Sequence, residues 1–133
     1  MNEPQALLIT DDYLPHLGGS RIYYHQVASM LAPGLSVLTR KRAGDGDFDS
    51  KTTYRIRRVP LATGVSHWRS PAEIVDCLTL ARKALTWFPE TKIYVAGELN
   101  PSCMAAFIAA KRRGGAYGVV LHDEQRAGAG KVE

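Results

Sequence analysis

The amino-acid sequence predicts one α/β domain, a Rossmann-like three-layer sandwich with a mostly parallel sheet and the strand order 3-2-1-4-5. Five short apolar segments alternate with three longer segments of helical periodicity, and such alternation is typical of parallel strands joined by right-handed crossovers. The first apolar segment, Gln5–Thr10, is almost uninterrupted, as expected for a strand that is covered on both faces. The length of 133 residues fits a single domain.

The first helix and the second strand follow directly. Ser20–Ala32 is predicted to be helical and to end at Pro33-Gly34, because its apolar residues recur at helical spacing. This stripe contains Tyr23, Tyr24, Val27, Ala28 and Leu31. Leu35–Thr39 is the second predicted strand.

The connection to the third strand has no helical pattern. Arg40–Lys51 is polar and contains glycine, which predicts a mobile loop or a hairpin. The third strand is Thr53–Val59, and its Arg55, Arg57 and Arg58 suit the edge of a sheet, where charge discourages pairing with other chains.

The second half of the chain continues the alternation. A capping box, Ser70 to Glu73 with Pro71 at the first helical position, starts the second helix, and its predicted core stripe is Ile74, Leu78, Ala81, Leu85 and Phe88. Strand four is Lys92–Ala96. The third helix begins at Asn100-Pro101 and ends at Arg113-Gly114, where basic residues and glycine are favoured. Tyr117–Leu121 is strand five.

Composition places few limits on function. The chain is 45% apolar and 23% charged with a net charge of +4, which is only weak evidence for anionic partners. Cys77 and Cys103 have no metal or redox spacing and are predicted to be a reduced, buried pair. No signal peptide is visible, and no apolar run approaches the roughly 20 residues that span a bilayer. The sequence therefore predicts a cytoplasmic protein with at most peripheral contact with the inner face of the membrane.

The predicted strand order locates the candidate binding site. Ligands of open parallel sheets bind beyond the carboxyl ends of the strands where the order reverses, here between strands one and four. Gly18, Gly19 and Ser20 lead into the first helix, where free N–H groups and the helix dipole favour an anion and glycine permits close approach. The alternative is a tight turn with Ser20 as a plain N-cap.

Two further polar segments are predicted to reach the same edge. His122 and Asp123 follow strand five, and the imidazole could hydrogen-bond a sugar hydroxyl or stabilise developing charge; the alternative is a loop histidine that caps local backbone. Glu98 could accept hydrogen bonds from hydroxyl groups, whereas Asn100 also suits the N-cap of the third helix.

Several segments resemble known ligand-binding motifs but lack residues that those motifs require. The glycine pair does not have the spacing of a dinucleotide-binding fingerprint. Acidic residues follow strand one, as in a phosphoacceptor receiver domain, but the sequence lacks the aspartate at the end of strand three and the lysine after strand five that such a domain needs. "DGDFDS" has Ser50 where a calcium loop needs glycine, and "GAGK" has Val132 where a phosphate loop needs Ser or Thr. The basic clusters Arg40–Arg42 and Lys111–Arg113 are predicted to be solvated surface, and no nucleic-acid-binding motif accompanies them. No metal site is predicted.

Two segments resemble one family. "DDYLPHLGGSRIYYHQVASMLA" is similar to the opening of the family 4 glycosyltransferases of GT-B fold, and "VAGELNPSCMAAFIAAKRRGGAYGVVLHDEQ" resembles a later stretch of the same N-terminal domain. The resemblance covers roughly residues 5 to 125 and implies a retaining enzyme that moves a sugar from a nucleotide-diphosphate donor to an acceptor, with no cofactor and no obligatory metal.

The resemblance also implies roles for individual residues. Gly18 and Gly19 would approach the donor's phosphates or its sugar, with Ser20 beside them. His122, the candidate catalytic residue, would contact the transferred sugar, with Asp123 next to it. Glu98 and Asn100 would lie on the acceptor side.

The sequence departs from the family pattern at its end. Residues 1–125 are interpreted as an incomplete N-terminal domain, residues 126–133 as an irregular tail, and the donor-binding second domain is missing. The chain alone is therefore expected to transfer no sugar, whether it is a fragment, a truncated gene product or one half that pairs with a separate chain. The alternatives are a stand-alone Rossmann-like module that binds a small anionic or sugar ligand, and a scaffold that docks through the edge of strand five.

Overall fold

The computed structural model describes residues 5–10, 13–15, 19–41, 43–62, 71–97 and 102–119. Strands and helices alternate along this part of the chain as β1 (Ala6–Ile9), α1 (Gly19–Leu31), β2 (Leu35–Arg40), α2 (Asp45–Asp49), β3 (Ile56–Val59), α3 (Pro71–Trp87), β4 (Ile93–Ala96), α4 (Ser102–Arg113) and β5 (Ala116–Val119). The strands form one sheet in the order β3-β2-β1-β4-β5, and every neighbouring pair is parallel. The predicted fold class and strand order are confirmed.

The sheet separates two apolar layers. Successive residues of a strand point to opposite faces, so Leu7 and Ile9 of β1 pack towards α3 and α4, whereas Leu8 packs towards α1. The α1 layer also contains Phe48 of α2. Two long helices therefore cover one face of the sheet, and α1 with the short α2 covers part of the other.

The predicted stripe of α3 is partly wrong. Ile74 and Leu78 are 64% and 55% exposed, while Cys77, Leu80 and Ala84 are buried. The buried side of α3 faces a run of alanines in α4, namely Ala105, Ala106, Ala109 and Ala110. Small side chains allow two helices to approach closely, and the buried face of α3 accordingly contains Cys77, Ala81 and Ala84 together with Leu80.

The predicted apolar stripe of α1 is also only partly buried. Tyr24 and Ala28 are buried against the sheet as predicted, but Tyr23 and Leu31 are more than half exposed. The helix contacts the sheet along a narrower strip than its apolar residues would cover. Part of its apolar flank is left facing outwards.

The predicted connection between β2 and β3 is wrong, because it contains the short helix α2. Asp45 and Asp47 lie in its first turn, where negative charge is favourable. Phe48 makes an edge contact with Tyr13, with ring centroids 6.2 Å apart. The predicted polar loop is thus held to the body of the protein by its aromatic residue and, as shown below, by its aspartates.

The arginines of the predicted edge strand have different environments. β3 is indeed an edge strand in the described sheet, and the Arg55 and Arg57 side chains lie over the rings of Phe88 and Trp87 at 4.5 and 4.1 Å. Arg58 is instead buried, with its side chain 3% exposed. The surface prediction for the first basic cluster fails at Arg40, which is also buried, whereas all of Lys111–Arg113 is exposed as predicted.

Both cysteines are free thiols, as predicted, although only Cys77 is fully buried and Cys103 is half-buried. Burial raises the pKa of the Cys77 thiol from 9.0 to about 11, and the charges of Glu73 and Asp76 raise it further. The thiol therefore stays protonated in the folded protein at pH values at which it ionises in the unfolded chain.

This difference predicts a loss of stability in alkali. The free energy of unfolding should decline as the pH rises from about 9 to about 11, because the unfolded chain releases the Cys77 proton before the folded protein does. Urea unfolding at pH 8 to 11 measures the decline, and Cys77→Ala should make it shallower. An identical pH dependence in both proteins would contradict the assignment to Cys77.

Among the described residues, no helix has the length and apolar character needed to cross a lipid bilayer.

Candidate functional site

The candidate site lies at the carboxyl edge of the sheet, where the strand order reverses between β1 and β4. The parallel ladder continues one residue beyond each of these strands: the Thr10 N–H donates to the Leu38 carbonyl at 3.1 Å, and the Gly97 N–H donates to the Ile9 carbonyl at 2.9 Å. Thr10 is completely buried. Thr10 and Gly97 therefore form a fixed floor at the switch point.

Tyr24 connects α1 to this floor. Its hydroxyl donates to the Gly97 carbonyl at 2.7 Å, and the two residues are far apart in the sequence. A Cβ atom at position 97 would lie 3.0 Å from Thr10 and 3.1 Å from the Tyr24 ring, so the close contact favours glycine. The second turn of α1 is thereby held against the end of β4.

Two helices begin at this edge. α1 starts at Gly19 and α4 starts at Ser102, each following a strand that ends at the switch point. Helix N-termini present unsatisfied N–H groups and a partial positive charge. The arrangement is suited to an anionic ligand.

The predicted site residues are only partly within the described structure. Gly19 and Ser20 are the first two residues of α1, so the helix begins one residue earlier than predicted. The other predicted residues lie outside the described residues, namely Gly18, Glu98, Asn100, His122 and Asp123. Their convergence with the glycine pair stays a prediction.

A chain of hydrogen bonds lies beside α1, over β2 and β3. The Tyr13 and Tyr54 hydroxyls are 2.8 Å apart, and the Tyr54 hydroxyl is 2.9 Å from the His25 Nδ1. The His25 ring also contacts Phe48, with centroids 5.4 Å apart. These contacts join the segment after β1 to α1, to α2 and to the residues before β3.

Arg58 joins the same elements on the sheet. Its guanidinium donates to both carboxylate oxygens of Asp49, at 2.8 and 3.0 Å, and Asp45 lies 3.9 Å away. It also donates to the Arg40 carbonyl at 3.1 Å and to the Leu14 carbonyl. Arg58 therefore fixes the backbone that leaves β1 towards the glycine pair.

The tyrosines of this region act as neutral hydrogen-bonding groups. Burial is the main cause that raises the pKa of both Tyr13 and Tyr54 above 10.0, so both hydroxyls are protonated at neutral pH. They can position backbone and ligand, but they are not poised to take a proton. Any acid–base chemistry at this edge would need other side chains.

The part of the chain that the structure describes holds no group of three or more His, Cys, Asp and Glu side chains placed to bind a metal ion.

Sequence reasoning missed most of the described part of the site. Gly97 had a usable signal, since a glycine directly after a buried strand often marks a close backbone approach. Tyr24 was assigned to the core stripe, and nothing in its spacing showed that its hydroxyl reaches β4. Tyr13, Tyr54 and His25 had no recognisable motif.

Comparisons with known proteins identify the fold but not a family. No protein-family model matches the chain, and no curated protein matches it. Among solved structures, the chain is similar to the C-terminal domain (residues 78–226) of the PF1911 hydrogenase from Pyrococcus furiosus, with 13% sequence identity and a TM-score of 0.56. The match covers 89% of this chain and 92% of that domain. At this identity the similarity shows a Rossmann-like parallel α/β domain.

Proposed function

We propose that the chain is the N-terminal domain of a retaining family 4 glycosyltransferase, which moves a sugar from a nucleotide-diphosphate donor to an acceptor. The two sequence segments that resemble this family support the proposal, as does the strand order, which is the order that the family's first domain requires. The likeness to the hydrogenase domain supports the fold alone.

The observation that carries the proposal is the start of α1 at Gly19, which follows the strand that ends at the switch point. The helix begins after the segment that leaves β1 there, so backbone N–H groups at the helix start would be available to an anionic ligand bound at this edge. A diphosphate leaving group needs such preorganised dipoles as its charge develops. In this proposal Gly18, Gly19 and Ser20 contact the donor's phosphates or sugar.

The remaining residues have roles by resemblance. His122 would contact the transferred sugar and stabilise the transition state, with Asp123 beside it, and Glu98 and Asn100 would lie on the acceptor side. Most nucleotide contacts would come from the second half of the enzyme, whether that half belongs to the same protein or to a separate partner. The isolated chain is therefore expected to bind donor weakly and to transfer no sugar.

A nuclear magnetic resonance titration of the full chain with UDP-glucose and with GDP-mannose tests this proposal. We expect millimolar binding with amide shifts at Gly18, Gly19, Ser20 and His122, and no transfer or hydrolysis. Gly19→Val should abolish the shifts because its side chain blocks the close approach, whereas Gly118→Val, at a strand position with open space around it, should preserve them. Shifts confined to the opposite, amino edge of the sheet would contradict the site, and transfer by the chain alone would contradict its inactivity.

A stand-alone binding module is the second candidate. The similar solved structure is that of a single domain, and the match covers 92% of it. If the chain is a module that binds small anions, pyrophosphate should bind as tightly as the nucleotide sugars and should shift the same amide resonances. Binding that requires the nucleotide would exclude it.

A further inference from the structure

One flank of α1 borders an open apolar groove. Tyr23, Val27 and Leu31 recur every fourth residue along this flank, so they lie one above the other on the helix. With residues of the sheet they line a groove of about 220 Å³. The sheet residues of the groove are Ala6, Leu8, Leu35 and Val95.

The groove lies where a further helix would pack. On its other flank, α1 is covered, since His25 contacts Phe48 of α2 and Tyr54 before β3. Within the described ranges, no helix packs on β4 beside α1 on this face, whereas α3 and α4 cover the opposite face. Parallel sheets are normally buried on both faces, and within the described residues this strip of β4 has no covering element.

The exposed side of α1 between Ile22 and Leu31 carries no formal charge and is largely apolar, with Gln26 and Ser29 as its exposed polar residues. Met30 is 81% exposed, Tyr23 55% and Leu31 54%. From Ile22 through Thr39 the sequence contains no Asp, Glu, Lys or Arg. This surface can therefore be removed from water without burying a formal charge.

We infer that a second copy of this chain covers the groove, with the two α1 helices packed antiparallel about a two-fold axis. The same surface carries an open groove and the exposed flank of a helix that could fill such a groove. It is therefore self-complementary, as a two-fold interface requires. The α1 helix of each copy would lie over the β4 strip of the other.

The charge distribution favours this occupant over others. The chain carries a net charge of +4, but two copies meeting through Ile22–Leu31 bring no like charges together. An acidic or basic protein partner would find no charge to complement on this stretch. Helices that bind anionic membranes carry a basic face, which Ile22–Leu31 does not provide.

The geometry also sets the expected strength. Ten residues of helix extend about 15 Å. If each copy contributes one helix flank and one groove of this length, the total buried area lies near the lower limit of specific interfaces, about 1,200 Å². Interfaces of this size are usually weak. We expect a reversible dimer with a dissociation constant on the order of 10–100 µM.

Sedimentation velocity of the full chain, from roughly micromolar to millimolar concentration, tests the inference. The wild-type chain should change from monomer to dimer across this range. Leu31→Glu should raise the dissociation constant at least about tenfold because it places a carboxylate in an apolar contact. Leu78→Glu is the matched control, since Leu78 is 55% exposed against 54% for Leu31 but lies on α3, on the opposite face; it should leave the dimer unchanged.

Three results would overturn the inference. The first is a wild-type chain that stays monomeric throughout, and the second is a dimer that Leu31→Glu leaves intact, as expected if the edge of β5 pairs instead. The third is Leu31-dependent binding to phosphatidylcholine vesicles without dimerisation. Circular dichroism melting checks that the variants fold, and Met30→Glu, at a still more exposed position, should weaken the dimer in the same way.

Discussion

Replacing Arg58 by alanine is expected to lower the free energy of unfolding by about 3–5 kcal/mol, because it leaves partly buried carboxylates without their cation. The Arg58 side chain is 3% exposed, and those of Asp49 and Asp45 are 22% and 16% exposed. The substitution also removes the donors to the Leu14 and Arg40 carbonyls. Chemical denaturation at neutral pH measures the loss.

Arg57→Ala is the matched control, one residue away on the same strand. Arg57 is exposed and stacks on the Trp87 ring at 4.1 Å, a contact that contributes about 0.5–1 kcal/mol at the surface. Equal losses for the two variants would contradict a special role for Arg58.

A double-mutant cycle tests the mechanism. If Arg58 acts mainly through Asp49, then Arg58→Ala should cost much less in an Asp49→Ala background, since the stranded carboxylate is already gone. Strictly additive losses in the free energy of unfolding would mean that Arg58 and Asp49 contribute to stability independently.

The parallel strands could be predicted from short-range patterns, and their order then followed from the order of a Rossmann-type sheet. Apolar runs such as Gln5–Thr10 mark the strands, and the intervening helical periodicity forces parallel pairing. Pro71 at the start of α3 and Gly114 after α4 mark boundaries by local backbone chemistry, and the structure places both as expected, with φ +79° at Gly114. Local signals were therefore sufficient for architecture.

The rotation of α3 could not be predicted in the same way. Its stripe was chosen by counting large apolar residues such as Ile74 and Leu78, whereas the contact with α4 selects small ones such as Ala84. Which of two adjacent stripes is buried depends on the partner helix. A single sequence does not show how closely that partner approaches.

Arg58 illustrates the same limit for charge. Three arginines within four residues suggested a solvated edge, but the side chains alternate across the sheet. Arg55 and Arg57 therefore meet α3, while Arg58 meets the aspartates of α2. Asp45 and Asp49 of the "DGDFDS" segment are the counter-ions of Arg58, and this role depends on a helix that the polar composition of the segment did not predict.

The site was partly predictable for a related reason. The switch point follows from the strand order, and Gly19 begins α1 after the strand that ends there, whereas ligand binding at this edge stays a prediction. The contact between Tyr24 and Gly97 joins residues 73 positions apart, and no local pattern reports it. This contact is the one at which a small change should have a large effect.

Gly97→Ala is expected to destabilise the protein by about 1–3 kcal/mol through overpacking. The added methyl group would lie 3.0 Å from Thr10 and 3.1 Å from the Tyr24 ring. Thr10 is completely buried, and the hydroxyl of Tyr24 is held by the Gly97 carbonyl at 2.7 Å, so neither neighbour can move without losing contacts. Thermal and urea unfolding measure the effect.

Gly118→Ala separates overpacking from the general effect of adding a methyl group to a strand glycine. Nothing lies within 4 Å of a Cβ at position 118, so this variant should be neutral or slightly stabilising, by up to about 1 kcal/mol. Tyr24→Phe should cost only about 1 kcal/mol, since it removes the hydrogen bond and keeps the ring. If Gly97→Ala costs no more than Gly118→Ala, then α1 is not held tightly against the end of β4, and the start of α1 would not be the preorganised anion site on which the proposed function depends.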